Sequence, residues 1–159
     1  MSTDITLAEI QEFIAGFWYH YDEAHYDEVA ARCAEDVRYV SRSDSGASPF
    51  EELMSPELRG RAAVMEWLSE HREQSPYPLR HHAGNVHRIG TDGDVTRVRF
   101  YIFVNQIANF VPFAVSSGVA EVGIRRCAHR LEFTEMDVIL DTTDSVPLSE
   151  RRAQSAAGS

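Results

Sequence analysis

The chain has 159 residues and a formal charge of −10, and all 15 of its basic residues are arginine. That length fits one domain able to bury its own core, while the negative charge makes nucleic acid and anionic membrane surfaces poor partners. No apolar run reaches the ~20 residues of a membrane-crossing helix, and no signal-peptide pattern opens the chain, so a cytoplasmic protein with Cys33 and Cys127 unpaired is expected.

Thr6 and Glu9 make a T-x-x-E capping box around the start of an apolar series: Leu7, Ile10, Phe13, Ile14, Phe17, Trp18 and Tyr21. The spacing predicts an amphipathic helix over about residues 7–22. It ends in a run crowded with aromatic and titratable groups, Phe17 to Tyr26, where a pocket or a buried polar network is expected. Tyr26, Val29, Ala30 and Cys33 keep helical spacing and predict a second, short helix. Val37 to Ser41 alternates as a strand, with Val37, Tyr39 and Ser41 on one face. Residues 42–60 have no period and read as a loop, long enough for a lid or binding loop. Helical spacing returns over 61–72, with Val64, Trp67, Leu68 and His71 on one side, until Pro76 and Pro78 stop it.

From Leu79 the pattern is that of strands. Arg80 to Ile89 leads through the hairpin signal Gly90-Thr91-Asp92-Gly93 into a long strand, Asp94 to Gln106. The even face of that strand carries Val98, Phe100, Ile102 and Val104, and its odd face Arg97, Arg99, Tyr101, Phe103 and Asn105. Ala108 to Phe113 reads as an apolar loop, and Val115 to Cys127 with Leu131 to Leu140 as a further antiparallel pair. The small, polar tail over 145–159 is expected to be flexible, which leaves a single domain over 1–144. Helices followed by a meander of strands specify the α+β class: a closed cone in which a curved antiparallel sheet wraps the N-terminal helices around a ligand-sized cavity.

Several segments give the chain a resemblance to the nuclear transport factor 2-like superfamily, in its SnoaL-like and scytalone dehydratase-like branch. They are Tyr21-Asp22 with Tyr26-Asp27, Ala34-Glu35-Asp36-Val37-Arg38-Tyr39, Arg80-His81-His82-Ala83-Gly84-Asn85-Val86, Asp92-Gly93-Asp94, Gly118, and Val138 to Asp141. The resemblance implies a cone-shaped fold assembled as a homodimer or homotrimer. In the dehydratases it implies an aspartate near the end of the first helix, paired with a histidine on the second long strand. Asp22 resembles that aspartate and His82 that histidine, with His81 the other candidate; Tyr21 matches a tyrosine just before the acid. Tyr39 would replace a pocket tyrosine expected where Ser41 stands, and Arg99 occupies the place of a second pocket histidine. Trp18, Phe17, Arg99 and Tyr101 are expected beside Tyr39 in substrate binding.

The function implied is that of a lyase or isomerase with no cofactor and no metal, acting on an apolar cyclic or polyketide-like small molecule. His82 would remove a proton beside a carbonyl with Asp22 behind it, and Tyr21, Tyr39 or Arg99 would hydrogen-bond the developing enolate. Besides an epoxide hydrolase of the same fold, which would require a water held by carboxylates rather than a histidine base, two other classes stay open. Glu35-Asp36-Val37-Arg38-Tyr39, Asn85-Val86 and Val138 to Thr142 also resemble the beta subunit of aromatic-ring-hydroxylating dioxygenases, which implies a structural partner of a larger chain. A binding protein for a small apolar ligand is the other. Neither His20/His25 nor His81/His82 has a metal-ligand spacing, and apart from the proposed pair, His81, His87 and His129 read as solvent-facing or interface groups.

Overall fold

The computed structural model describes residues 4–46, 51 and 54–158. The capping box is formed: the Glu9 backbone N–H donates to Thr6 Oγ1, and the Thr6 N–H donates back to the Glu9 carboxylate at 2.8 Å. It opens helix α1, Leu7–Asp22, whose buried stripe is Ile10, Ile14, Phe17, Trp18, Tyr21 and Asp22. The second helix, α2, is Tyr26–Ala30, and strand β1, Cys33–Ser43, begins where helical spacing still ran. Cys33 pairs with Phe133 on another strand, so sheet pairing overrides the local period there. Both cysteines are free, and burial pushes the Cys33 thiol up to about 12.

The expected loop after β1 is only partly described, since residues 47–50, 52 and 53 lie outside the described residues. Its far end contains a short strand, β2, Leu58–Arg59, which pairs antiparallel with β1 through Arg38↔Arg59 and Tyr39↔Leu58. Helix α3 follows at Arg61–Gln74. Four long strands then run consecutively: β3 Leu79–Asp92, β4 Val95–Ala108, β5 Val111–Cys127 and β6 Arg130–Leu140. The apolar loop expected over 108–113 is instead a tight turn at Asn109 and Phe110, with φ of 51° and 65°. Positive φ at both central residues suits the right-handed twist of the flanking strands, so the hairpin closes without a longer loop. Residues Leu148–Ala157 form helix α4, none of which is buried.

The six strands lie in the order β2-β1-β6-β5-β4-β3. Neighbours are antiparallel except β1 and β6, which run parallel through Tyr39↔Met136 and Ser41↔Val138. The wholly antiparallel, closed cone expected from the sequence is therefore a mixed sheet with two open edges, at β2 and β3. Bulges between Gly84 and His87 and between Arg88 and Gly90 interrupt β3 and bend it. At Gly118 the β5 and β6 backbones approach so closely that a Cβ would lie 2.3 Å from the Ile139 carbonyl oxygen. Only glycine fits there.

The even face of β4 is buried, with Val98, Phe100, Ile102 and Val104 between 0% and 6% exposed. It packs towards the helices, where Phe17 stands edge-on to Phe133 of β6 at 5.1 Å. The odd face is turned outward, with Tyr101 57% and Phe103 44% exposed.

Candidate active site

Helix α1 ends by delivering Asp22 into the interior, and a buried arginine holds it there. Arg72 of α3, 5% exposed, donates from Nε and Nη2 to the Asp22 carbonyl oxygen at 3.0 and 2.8 Å. This satisfies one of the carbonyls that a helix C-terminus leaves without an intrahelical donor. The carboxylate of Asp22 is thereby aimed at β3. Its Oδ2 accepts the backbone N–H of His81 at 2.9 Å, and its Oδ1 meets His81 Nδ1 at 2.5 Å. One carboxylate thus grips both the backbone and the ring of a single residue, which fixes the ring's rotamer. Because a carboxylate only accepts, Nδ1 carries the proton, and in the neutral ring Nε2 has a free lone pair.

The histidine that meets Asp22 is His81, not His82. Antiparallel partners share a face, and His81 lies opposite buried Val104 while His82 lies opposite exposed Phe103. On the outer face His82 Nε2 contacts Asn105 Oδ1 at 2.7 Å. The signal was present in the sequence. Counting back from the Gly93-Asp94 turn sets His81 against Gln106 on the even face of β4. The two bulges then move the register by two residues, from Gln106 to Val104, so the parity survives.

Trp18 supplies the other surface against His81. Its indole stacks on the imidazole with centroids 4.6 Å apart and planes 9° from parallel. A carboxylate at Nδ1 and an indole face against the ring are both surroundings that suit an imidazolium formed when Nε2 takes up a proton. Tyr21 meets a different partner from the one expected. Its ring stands edge-on to His81 at 5.3 Å, but its hydroxyl contacts His71 Nδ1 of α3 at 2.9 Å. Burial raises the Tyr21 phenol far above its usual range and lowers His71, which neighbouring His81 and Arg72 lower further. His71 in turn lies flat on Trp67, 4.7 Å away.

Trp18, Tyr21, Trp67, His71 and His81 line a cavity of about 370 Å³ between α1, α3 and the inner face of the sheet. Tyr39, raised well above its usual range by burial, lines it too, with apolar walls at Leu68, Ile102, Val104 and Val138. Its polar lining includes Ser116, Asp141 and Thr142. Besides His82, three of the expected site residues are elsewhere. Phe17, 1% exposed, is packed in the core behind Trp18. Arg99 is exposed on the outer face and paired with Glu121, and Tyr101 shares that face. Both are odd-numbered residues of β4, and the strand's alternation directs odd residues outward. His71 and Trp67 entered the reading only as one side of a helix; the i, i+4 spacing of two flat rings on a buried stripe was the clue to a wall. Among the described residues no three His, Cys, Asp or Glu side chains converge as a metal site.

A family model of the SnoaL-like domain matches residues 5–141 of the chain. No curated protein sequence matches it. Among solved structures, it is similar to the beta subunit of the benzoate 1,2-dioxygenase from Burkholderia mallei, with a TM-score of 0.70 and 19% identity over 93% of this chain and 98% of that one. It is similar to ActVI-ORFA from Streptomyces coelicolor, with a TM-score of 0.70 and 18% identity over 86% and 97% of the two chains. A third similar structure is an NTF2-like protein with a cystatin-like fold from Novosphingobium aromaticivorans, with a TM-score of 0.69 and 18% identity over 91% and 86%. At these identities the likeness is one of fold.

Proposed function

The chain belongs to the SnoaL-like domain family, and from that membership we propose that it is a lyase or isomerase that moves a proton on an apolar cyclic small molecule held in the cavity. The observation that carries this reading is the contact between Asp22 and His81 at 2.5 Å, with His81 on the wall of a largely apolar cavity. His81 Nε2 removes a proton from the carbon beside a substrate carbonyl, and the electrons of that C–H bond become the enolate. The enolate then expels a hydroxyl from the next carbon, which leaves as water with the proton returned by the imidazolium. Returning the proton to another carbon instead gives an isomerisation. A base positioned in this way contributes roughly 10²–10⁴-fold. The chemistry moves only a proton and a hydroxyl, so no cofactor is required. Asp22, Trp18 and Tyr39 keep the places in this reading that the sequence suggested, while His81 takes the role first read for His82.

The test is a panel of cyclic β-hydroxy-ketones, with conjugated product followed by ultraviolet absorbance. Turnover by the natural chain that is lost in both His81→Ala and Asp22→Asn supports the reading. Turnover unchanged in both removes it.

A second reading is that of a structural partner, of the kind represented by the benzoate dioxygenase beta subunit, or of a homodimer or homotrimer. It is favoured by the apolar side chains left in the open: Tyr101 and Phe103 on the outer face, and Phe110 and Val111 at the β4–β5 turn. Light scattering on the purified chain, and co-purification with a larger iron-sulfur chain, separate self-association from a mixed assembly. A monodisperse monomer with no companion would count against both.

A further inference from the structure

We propose that His71 is a second catalytic imidazole of this cavity, donating a hydrogen bond from Nε2–H to the substrate oxygen on which negative charge gathers while His81 removes the proton, with Tyr21 as its positioning residue. This rests on the reading of the cavity as a proton-transfer site, and assigns to α3 a role that the sequence did not suggest.

The proton of Tyr21 decides the tautomer of His71. The hydroxyl of this buried residue has one protein partner among the described residues, Nδ1 of His71 at 2.9 Å. If His71 carried its proton on Nδ1, that nitrogen would donate to the phenol oxygen and the phenol proton would have no acceptor among the described residues. A buried donor without an acceptor is costly. Donation from Tyr21 to Nδ1 pairs both groups and places the single proton of a neutral His71 on Nε2. His71 stays neutral because burial, with the Arg72 guanidinium nearby, opposes a second proton. No described residue accepts from Nε2, and His71 is part of the cavity wall.

The two imidazoles are therefore opposite in kind. Asp22 accepts from His81 Nδ1 and leaves Nε2 as a base; Tyr21 donates to His71 Nδ1 and leaves Nε2–H as a donor. Tyr21 is the bridge, with its ring against one histidine and its hydroxyl on the other. Opposite tuning of neighbouring titratable groups is how one site supplies both a base and an electrophile at one pH. His71 forms and breaks no covalent bond here: its proton stays on Nε2 while the electron pair from the substrate C–H bond moves towards the carbonyl oxygen. Stacking on Trp67 holds the ring, so the donor needs no reorganisation when charge develops.

The first test reads the tautomer directly, by long-range proton–nitrogen NMR of the histidine rings in the full chain. The expected result is a neutral His71 with its proton on Nε2, changing to a mixture in Tyr21→Phe. A proton on Nδ1 in the natural chain overturns the proposal, whatever His81 does. The second test uses 4-nitrophenol as a stand-in for the enolate, at a pH where the free phenol is protonated, with visible absorbance reporting ionised ligand. The natural chain should bind the phenolate, His71→Phe should weaken it roughly 10–100-fold, and His71→Gln, which keeps an N–H donor, should recover part. Urea midpoints establish that each variant is folded. Phenolate bound equally well by His71→Phe overturns the proposal and leaves His81 as the base. Ionisation that persists in His81→Ala, or no binding by the natural chain, overturns both.

Discussion

The inner and outer faces of β3 and β4 carry similar side chains in different states. Inside, His81 is tied to Asp22 and stacked on Trp18, and Ile102 and Val104 are shut away from solvent. One residue along each strand, His82 contacts Asn105 in the open, and Tyr101 and Phe103 are exposed. A histidine's chemistry is thus decided by the parity of its position on a strand, since parity determines whether a carboxylate and a largely apolar cavity or solvent surround it.

The comparison is broken most decisively by exchanging the two histidines' fates. His81→Ala should lower kcat/KM on a hydroxy-ketone substrate by roughly 10²–10⁴-fold, and His82→Ala should leave it as it was. Equal losses would mean that the faces are not distinct in function.

The same contrast extends to stability. Ile102→Ala, on the inner face, should cost about 2–5 kcal/mol in urea unfolding, whereas Tyr101→Ala should change the isolated chain by about 0.5 kcal/mol or less. A large loss at Tyr101 would reveal that the outer face is covered in the folded protein.

Arg72→Met probes what holds the inner face in place. It leaves the Asp22 carbonyl oxygen without its two donors, at a cost of about 1–3 kcal/mol by urea titration. It should also lower turnover, because Asp22 is no longer held against β3. Full activity in a destabilised variant would separate the clamp from the site.

The smallest effect is expected from pH. Burial holds folded His71 below its unfolded value of about 6.5. As pH falls through that window the unfolded chain takes up a proton that the folded chain refuses, so stability declines; above it, His71 contributes no slope. Urea midpoints measured between about pH 7.5 and about pH 5.5 should fall, and His71→Gln should flatten part of that fall.

Some of this architecture was legible because it is local. The capping box and stripe of α1 need only residues three and four apart, and the structure reproduces both ends of that helix. The alternation of β4 separated a buried even face from an exposed odd one, and with it the positions of Ile102 and Arg99. It was not carried through to Arg99 and Tyr101, which were read as pocket residues although both are odd. The two-residue strand β2 had no local signal, since it exists only by pairing with β1. The turn at Asn109 and Phe110 was hidden by apolar neighbours that resemble a loop or a strand equally.

By itself, then, the sequence determined the α+β class, the principal helices and strands, and Asp22 at the end of α1 as the acid to watch. Only the tertiary structure decided that Asp22 meets His81, that Tyr21 meets His71 fifty positions away, and that Arg72 secures the end of α1. Those contacts join separate elements at angles set by packing across the core, and no spacing along the chain encodes an angle between two elements.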